Sequence, residues 1–226
     1  MHIEPGIVDG AKIVLSYATA AASLGIAAKL ALDSVKESGI AALVLRSVIA
    51  TALVFTFFEL LPHYPVGVSE VHLILGSTLF LVFGTGPAAV GLALGLLIQG
   101  VFFAPFDLPQ YGMNVTTLLV PLYGVSLLAK RIIPAATPYV DLQYRQALAL
   151  STAYQGGIVA WVAFWAIYGQ GVTVANLASI ATFGTAYMTV ILLEPLADLG
   201  VLASAKLFRQ LRGTKLVQQR VYHAAA

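Results

Sequence analysis

Long apolar runs separated by short polar turns leave this chain very few ways to fold. Seven such runs are readable: about Gly6–Leu32, Ile40–Leu61, Glu70–Phe83, Ala88–Phe103, Asn114–Ala129, Gln146–Tyr168 and Ala175–Phe208. Most reach or approach the roughly 20 residues that carry a helix across the ~30 Å hydrocarbon core. Hydrophobic residues make up 59% of the 226 and charged residues 10%, with a mean hydropathy of +0.89. A soluble domain carries about a quarter charged residues, so this is a polytopic membrane protein. Backbone polar groups in lipid must be satisfied within the segment or in a closed barrel. The run lengths select the helical solution: an all-α bundle of about seven transmembrane helices, or six if the short third run only dips into the membrane. We read one integral membrane domain over 1–226, with the bundle in 1–208 and a basic tail in 209–226.

The breaks between runs have recognisable causes. Pro5 stands where a helix can begin without losing a hydrogen bond. Asp33–Gly39 reads as a polar turn, Pro62–Ser69 as an irregular loop, and Gly84-Thr85-Gly86-Pro87 as the end of the third run. Ala104–Met113 reads as a proline-containing loop, and Lys130–Arg145 as a polar connection. Glu194-Pro195 interrupts the seventh run, which is expected to kink or leave the membrane there. Ala18 with Ala22, and Ala27 with Ala31, form small-xxx-small pairs that would let a neighbouring helix approach closely.

Threading seven alternating spans through a bilayer sorts the charges. Eleven of the twelve Lys and Arg residues fall on one face, and only Lys12 falls on the other. The positive-inside rule then puts the N-terminus outside and the C-terminus in the cytoplasm, as in a multi-pass protein of a bacterial inner membrane. Met1, His2, Glu4, Asp9, Glu59, His63, Glu70, His72 and Asp107 collect at the opposite face, an acidic mouth that would attract cations.

Several function classes drop out. There is no cysteine, which removes disulfides, thiolate metal sites and iron–sulfur clusters. No phosphate-binding glycine loop, HExxH, serine–histidine–acid set or nucleic-acid module is present, so energy from ATP would need another subunit. The opening MHIEPGIVDGAK lacks the basic start of a secretory signal, and we read Met1 as the mature terminus. A membrane cytochrome would need histidines on facing helices at membrane depth. Only His72 stands near such a place.

The chemistry that remains is ligation. The α-amine of Met1, the backbone nitrogen of His2 if it deprotonates, and the His2 imidazole can close adjacent chelate rings around one ion. Three nitrogens in a plane leave a fourth corner that His72 could fill, and this nitrogen-rich geometry suits Ni(II), Cu(II) or low-spin Co(II). The alternative is that His2 is an incidental residue of a frayed terminus and His72 an interfacial histidine. Glu4, Glu59 and Glu70 could hold the imidazole tautomers. Asn114 and Gln99 could orient a ring or simply hydrogen-bond between helices. His63, in its proline-flanked loop, reads as solvent-facing, and His223 as a tail residue without a specific role.

Met1-His2-Ile3, the histidine opening the third run, Gly86-Pro87 and Gly112-Met113-Asn114-Val115 together resemble the CbiM/NikM family. These are the substrate-specific membrane subunits of energy-coupling factor transporters for cobalt and nickel. The resemblance covers most of the first five runs. It departs at Glu4-Pro5, and at Val66-Gly67-Val68-Ser69-Glu70-Val71, which replaces a Ser/Gly-rich run. It implies that Met1, His2 and His72 ligate a cobalt or nickel ion as transported substrate, with Asn114 near the site and no organic cofactor. It also implies two kinds of partner, a transmembrane coupling subunit and cytoplasmic ATPase subunits, the chain itself being no enzyme. From the residues alone, a membrane anchor or assembly subunit of a larger complex that carries no ion is the competing reading.

Overall fold

The computed structural model describes residues 2–61, 63–135, 137–207 and 218. Eight helices account for most of them: α1 (Ile13–Ser38), α2 (Ile40–Phe55), α3 (Gly76–Phe83), α4 (Thr85–Phe102), α5 (Tyr111–Ile132), α6 (Tyr144–Gln170), α7 (Val174–Met188) and α8 (Val190–Leu207). Between α2 and α3 lies a small antiparallel hairpin, β1 (Tyr64–Val66) and β2 (Ser69–Val71), with Val66 paired to Ser69. Six helical stretches are long and apolar enough to cross a membrane. Their outer faces carry exposed Val14, Ile26, Val44, Val48, Leu94 and Phe102, as a lipid-facing surface requires.

The third run is where sequence and structure part. Only Gly76–Phe83 is helical, about 12 Å of helix at 1.5 Å per residue and too short to span. Residues 72–75 are not helical but extend inward from β2, with Ile74 fully buried. This broken segment starts at the hairpin, which packs against α7. It ends at Gly84, which lines a cavity of about 300 Å³ together with Asp33, Glu37, Arg46, Lys130 and Tyr139. Non-helical backbone at this depth is tolerated because protein surrounds it.

Other boundaries shift for local reasons. The polar stretch Asp33–Ser38 forms the last turn of α1, carrying an exposed Lys36–Asp33 ion pair at 3.2 Å. The reversal itself is made by Gly39 at φ 82°, a left-handed value open to glycine. Gly84, at φ 91°, likewise separates α3 from α4, while Pro87 sits in the first turn of α4 where its missing N–H costs nothing. The seventh run divides at Thr189, between α7 and α8, and not at Glu194-Pro195. The basic tail lies outside the described residues, apart from Gln218, whose N–H donates to the Val82 carbonyl at 3.1 Å.

Glycine sets how closely the helices meet. A Cβ built on Gly91 of α4 would lie 2.4 Å from the Ala50 Cβ of α2, and one on Gly95 would lie 2.6 Å from Val54 Cγ1. These contacts leave no room for a side chain, as expected where packing in place of hydrophobic exclusion holds membrane helices together. On α1 the buried small-residue stripe is Ser16, Ala20, Ser23 and Ala27. Of the predicted pairs, Ala18 and Ala22 face outward.

Candidate metal centre

The N-terminal strand reaches the site because its backbone is pinned on both sides. Ile3 forms an antiparallel bridge with Ser69. The His2 carbonyl accepts from Glu70 N–H at 3.0 Å and from Ser69 Oγ at 2.8 Å. Glu4 N–H donates to the Val68 carbonyl at 3.2 Å. From the other side Asn114, in the first turn of α5, accepts from Ile3 N–H through its Oδ1 at 2.9 Å. Ile3 is fully buried, so each of these bonds is made out of water, where leaving one unmade is costly.

This anchoring brings the two histidines together from positions seventy residues apart. His2 and His72 are 3% and 1% exposed, and their ring centroids stand 5.6 Å apart. Glu70 lies between them. Its Oε2 is 2.7 Å from His2 Nδ1 and 2.9 Å from His72 Nε2. One ligand atom from each of His2, Glu70 and His72 falls within 4.8 Å of the others, a separation that one metal ion could bridge. The remaining ring nitrogens, His2 Nε2 and His72 Nδ1, are buried without a hydrogen-bond partner among the described residues.

Apolar and carboxylate groups complete the surroundings. Phe58 projects from the π-helical end of α2 (Thr56–Leu60) and packs 5.3 Å from the His72 ring and 6.5 Å from that of His2. Asp107, in the turn between α4 and α5, puts Oδ2 3.9 Å from His2 Nδ1 and is itself buried. Burial holds the His2 imidazole down at about 4, against the opposing pull of Glu70, so it is neutral at pH 7. Burial pushes Glu70 the other way, but hydrogen bonds from both imidazoles outweigh it and hold the carboxyl well below the usual range. Neutral imidazoles beside an ionised carboxylate are the protonation states a cation needs from these groups.

Of the predicted residues, the structure unites His2, His72 and Glu70. Met1 lies outside the described residues. Asn114 fixes the backbone of Ile3 and does not touch a ring. The Glu4 carboxyl is raised by partial burial and by the charge of Glu70, and hydrogen-bonds neither imidazole. Gln99 donates to Glu59 at 3.3 Å between α4 and α2, the helix-to-helix role expected of it. His63 departs from its expectation: its ring stacks on His72 at 4.9 Å and 16°.

Behind His72 a second buried carboxylate fixes the loop. Glu194 of α8 accepts from Leu75 N–H at 3.0 Å and from Ser151 Oγ of α6 at 3.1 Å. Leu75 stands at φ 54°, a left-handed conformation that costs a non-glycine residue about 1–2 kcal/mol. The Glu194 bond helps hold it there.

The whole of this arrangement lies in a stretch of sequence that a family model recognises. The model described as cobalt uptake substrate-specific transmembrane region, CbiM, matches residues 2–210. The chain belongs to the CbiM family. Membership makes it a transmembrane component of metal uptake. Two solved structures share the fold. A crystal structure of a truncated transition metal transporter is 19% identical with a TM-score of 0.63, the match covering 92% of this chain and 98% of that one. A crystal structure of a transition metal transporter is also 19% identical, with a TM-score of 0.60 and coverage of 94% and 100%. No curated protein matches.

Proposed function

We propose that this chain is the ion-capturing membrane subunit of an energy-coupling factor importer for cobalt or nickel. The observation that carries the reading is the convergence of His2 Nδ1 and His72 Nε2, both buried, on one oxygen at 2.7 and 2.9 Å. Nδ1 is the His2 nitrogen that can close a six-membered ring with the backbone nitrogen of its own residue. The α-amine of Met1 would close the five-membered ring beside it. The four bonds that pin residues 2–4 supply the order such a chelate needs. An ion would enter from the outer face, drawn by Glu4, Glu70 and Asp107, and leave inward after movement against a transmembrane coupling subunit driven by cytoplasmic ATPases. The charge asymmetry of the loops supports that orientation, in a bacterial inner membrane.

The test uses the full chain starting at Met1, and a version with three alanines inserted between Met1 and His2. Elemental analysis after loading should find one cobalt or nickel per chain in the first and a large loss in the second, because the histidine is then too far from the terminal amine to close fused five- and six-membered rings with it. Equal metal in both would refute the terminal chelate. Copurification with a membrane subunit and ATPases, or its failure, separates an importer subunit from a stand-alone anchor.

A further inference from the structure

A carboxylate that orients a metal-bound histidine does so through the ring nitrogen remote from the ion. Glu70 does the opposite. It touches His2 Nδ1, the nitrogen that can join a chelate with the terminal backbone, and His72 Nε2, while the remote nitrogens of both rings are buried and have no partner among the described residues. The carboxylate therefore lies on the ligating side of the site and not behind it.

Resting on the ion-capture reading above, we infer that Glu70 Oε2 is itself a ligand of the transported ion. It raises the coordination number to five or more and biases the site toward Co(II) over Ni(II). The distances fit this role. Metal–nitrogen and metal–oxygen bonds of about 2.1 Å place neighbouring ligands at right angles about 3.0 Å apart, against about 3.4 Å in a tetrahedron. The observed 2.7 and 2.9 Å match the right-angled case for both nitrogens at once. A ligand at the apex of a square pyramid is at right angles to every atom of the base, so one oxygen near both imidazoles is what an apical position requires. The same separations suit N–H···O hydrogen bonds, so an ion can replace those bonds with little rearrangement.

Charge favours the same assignment. A divalent ion taken into a site whose histidines are 3% and 1% exposed needs its charge balanced nearby. The deprotonated His2 backbone nitrogen supplies one negative charge and Glu70 the second, which balances the ion before Asp107, 3.9 Å from His2 Nδ1, is counted. Ligand type then bears on selectivity. Four nitrogens in a plane suit square-planar Ni(II) and Cu(II), whereas two histidines with a carboxylate suit ions that accept five or six ligands. High-spin Co(II) does so readily. Ni(II) in such a site gives up the planar geometry for which the terminal chelate is best adapted.

The experiment compares the full chain, with its native terminus in lipid nanodiscs, with E70Q and E70D, using Co(II) alone and Ni(II) alone as probes. H72A serves as the control for the site as a whole. Electron paramagnetic resonance and X-ray absorption should report high-spin Co(II) with at least five ligands in the parent chain. E70D, which keeps the oxygen, should retain that signature. E70Q should move to a low-spin, planar signature, and its preference for Co(II) over Ni(II) should fall at least tenfold. Low-spin, four-coordinate cobalt in the parent chain would overturn the inference without reference to any variant. So would an unchanged spectrum and unchanged metal preference in E70Q, even with weaker binding, since an orienting carboxylate alone is worth about 10–100-fold in affinity. If the parent chain binds neither ion, or binds it equally in H72A, the ion-capture reading fails and this inference with it.

Discussion

Asn114 gives the sharpest handle on how the N-terminus is held, because its hydrogen bond goes to the Ile3 backbone and to neither imidazole. In Asn114→Ala the Oδ1 that accepts from Ile3 N–H at 2.9 Å is lost, and that N–H stays buried, since Ile3 is 0% exposed. An orphaned buried donor costs about 1–3 kcal/mol. The cost falls on docking of residues 2–4, which keep only their bonds to the hairpin. If docking and ion binding are one event, cobalt affinity falls by the same free energy, roughly 5- to 150-fold. Asn114→Asp keeps the acceptor and should remain close to the parent. The assay is competition against a chromophoric chelator in detergent, with thermal melts to show that the bundle persists.

A double-mutant cycle makes the reasoning refutable. A version with three alanines inserted after Met1 would lack the terminal chelate, so Asn114→Ala should add almost nothing to its residual affinity. Full additivity would mean that Asn114 acts on the ion by another route. Affinity within twofold of the parent in Asn114→Ala alone would show that the hairpin holds the strand without help from α5.

Two further outcomes follow from the same geometry. Glu194→Ala removes the acceptor for Leu75 N–H and Ser151 Oγ; it should lower the melting temperature and weaken cobalt binding together, through the loop that carries His72, whereas weakened binding without any loss of stability would contradict a structural role. For pH, His2 titrates at about 4 when folded and near 6.5 when unfolded. The unfolded chain therefore takes up the proton first, and the metal-free protein loses about 1.4 kcal/mol per pH unit from this residue as pH falls through that window. Glu70, held well below the usual carboxylate range, stays ionised there and does not offset the loss. In Asp107→Asn, which removes the carboxylate 3.9 Å from His2 Nδ1, a melting temperature unchanged from pH 7 to pH 5 would refute a buried, neutral His2.

The bundle was legible in the sequence because lipid enforces length and periodicity-free hydrophobicity, and those survive in composition. His2 and His72 were legible for a different reason: a histidine within a residue or two of a chain terminus would chelate through amine, amide and ring nitrogens together, which most histidines cannot do. Glu70 was visible as a neighbour of His72, but its side was not. Residues i and i+2 of a strand share a face, and Glu70 is the middle residue of β2 with His72 just beyond the strand's end, so the pairing follows only once the hairpin is known. The apolar run from Glu70 gave no sign that its first part was strand and loop, since a short apolar stretch reads the same as helix or strand. Asp107 and Phe58 were hidden in another way. One sits in a proline-rich turn and the other at a π-helical helix end, and no sequence spacing relates either to His72. What joins them is the descent of an extended segment into the bundle, which exists because Glu194, at the far side, satisfies the backbone at Leu75. The candidate ion site and α8 are thereby tied through one loop of five residues, from His72 to Gly76. A shift of α8 against α6 must either break the Glu194 contacts or drag His72 with it, and on the proposed function that is the physical link by which movement deep in the bundle would change the grip on an ion.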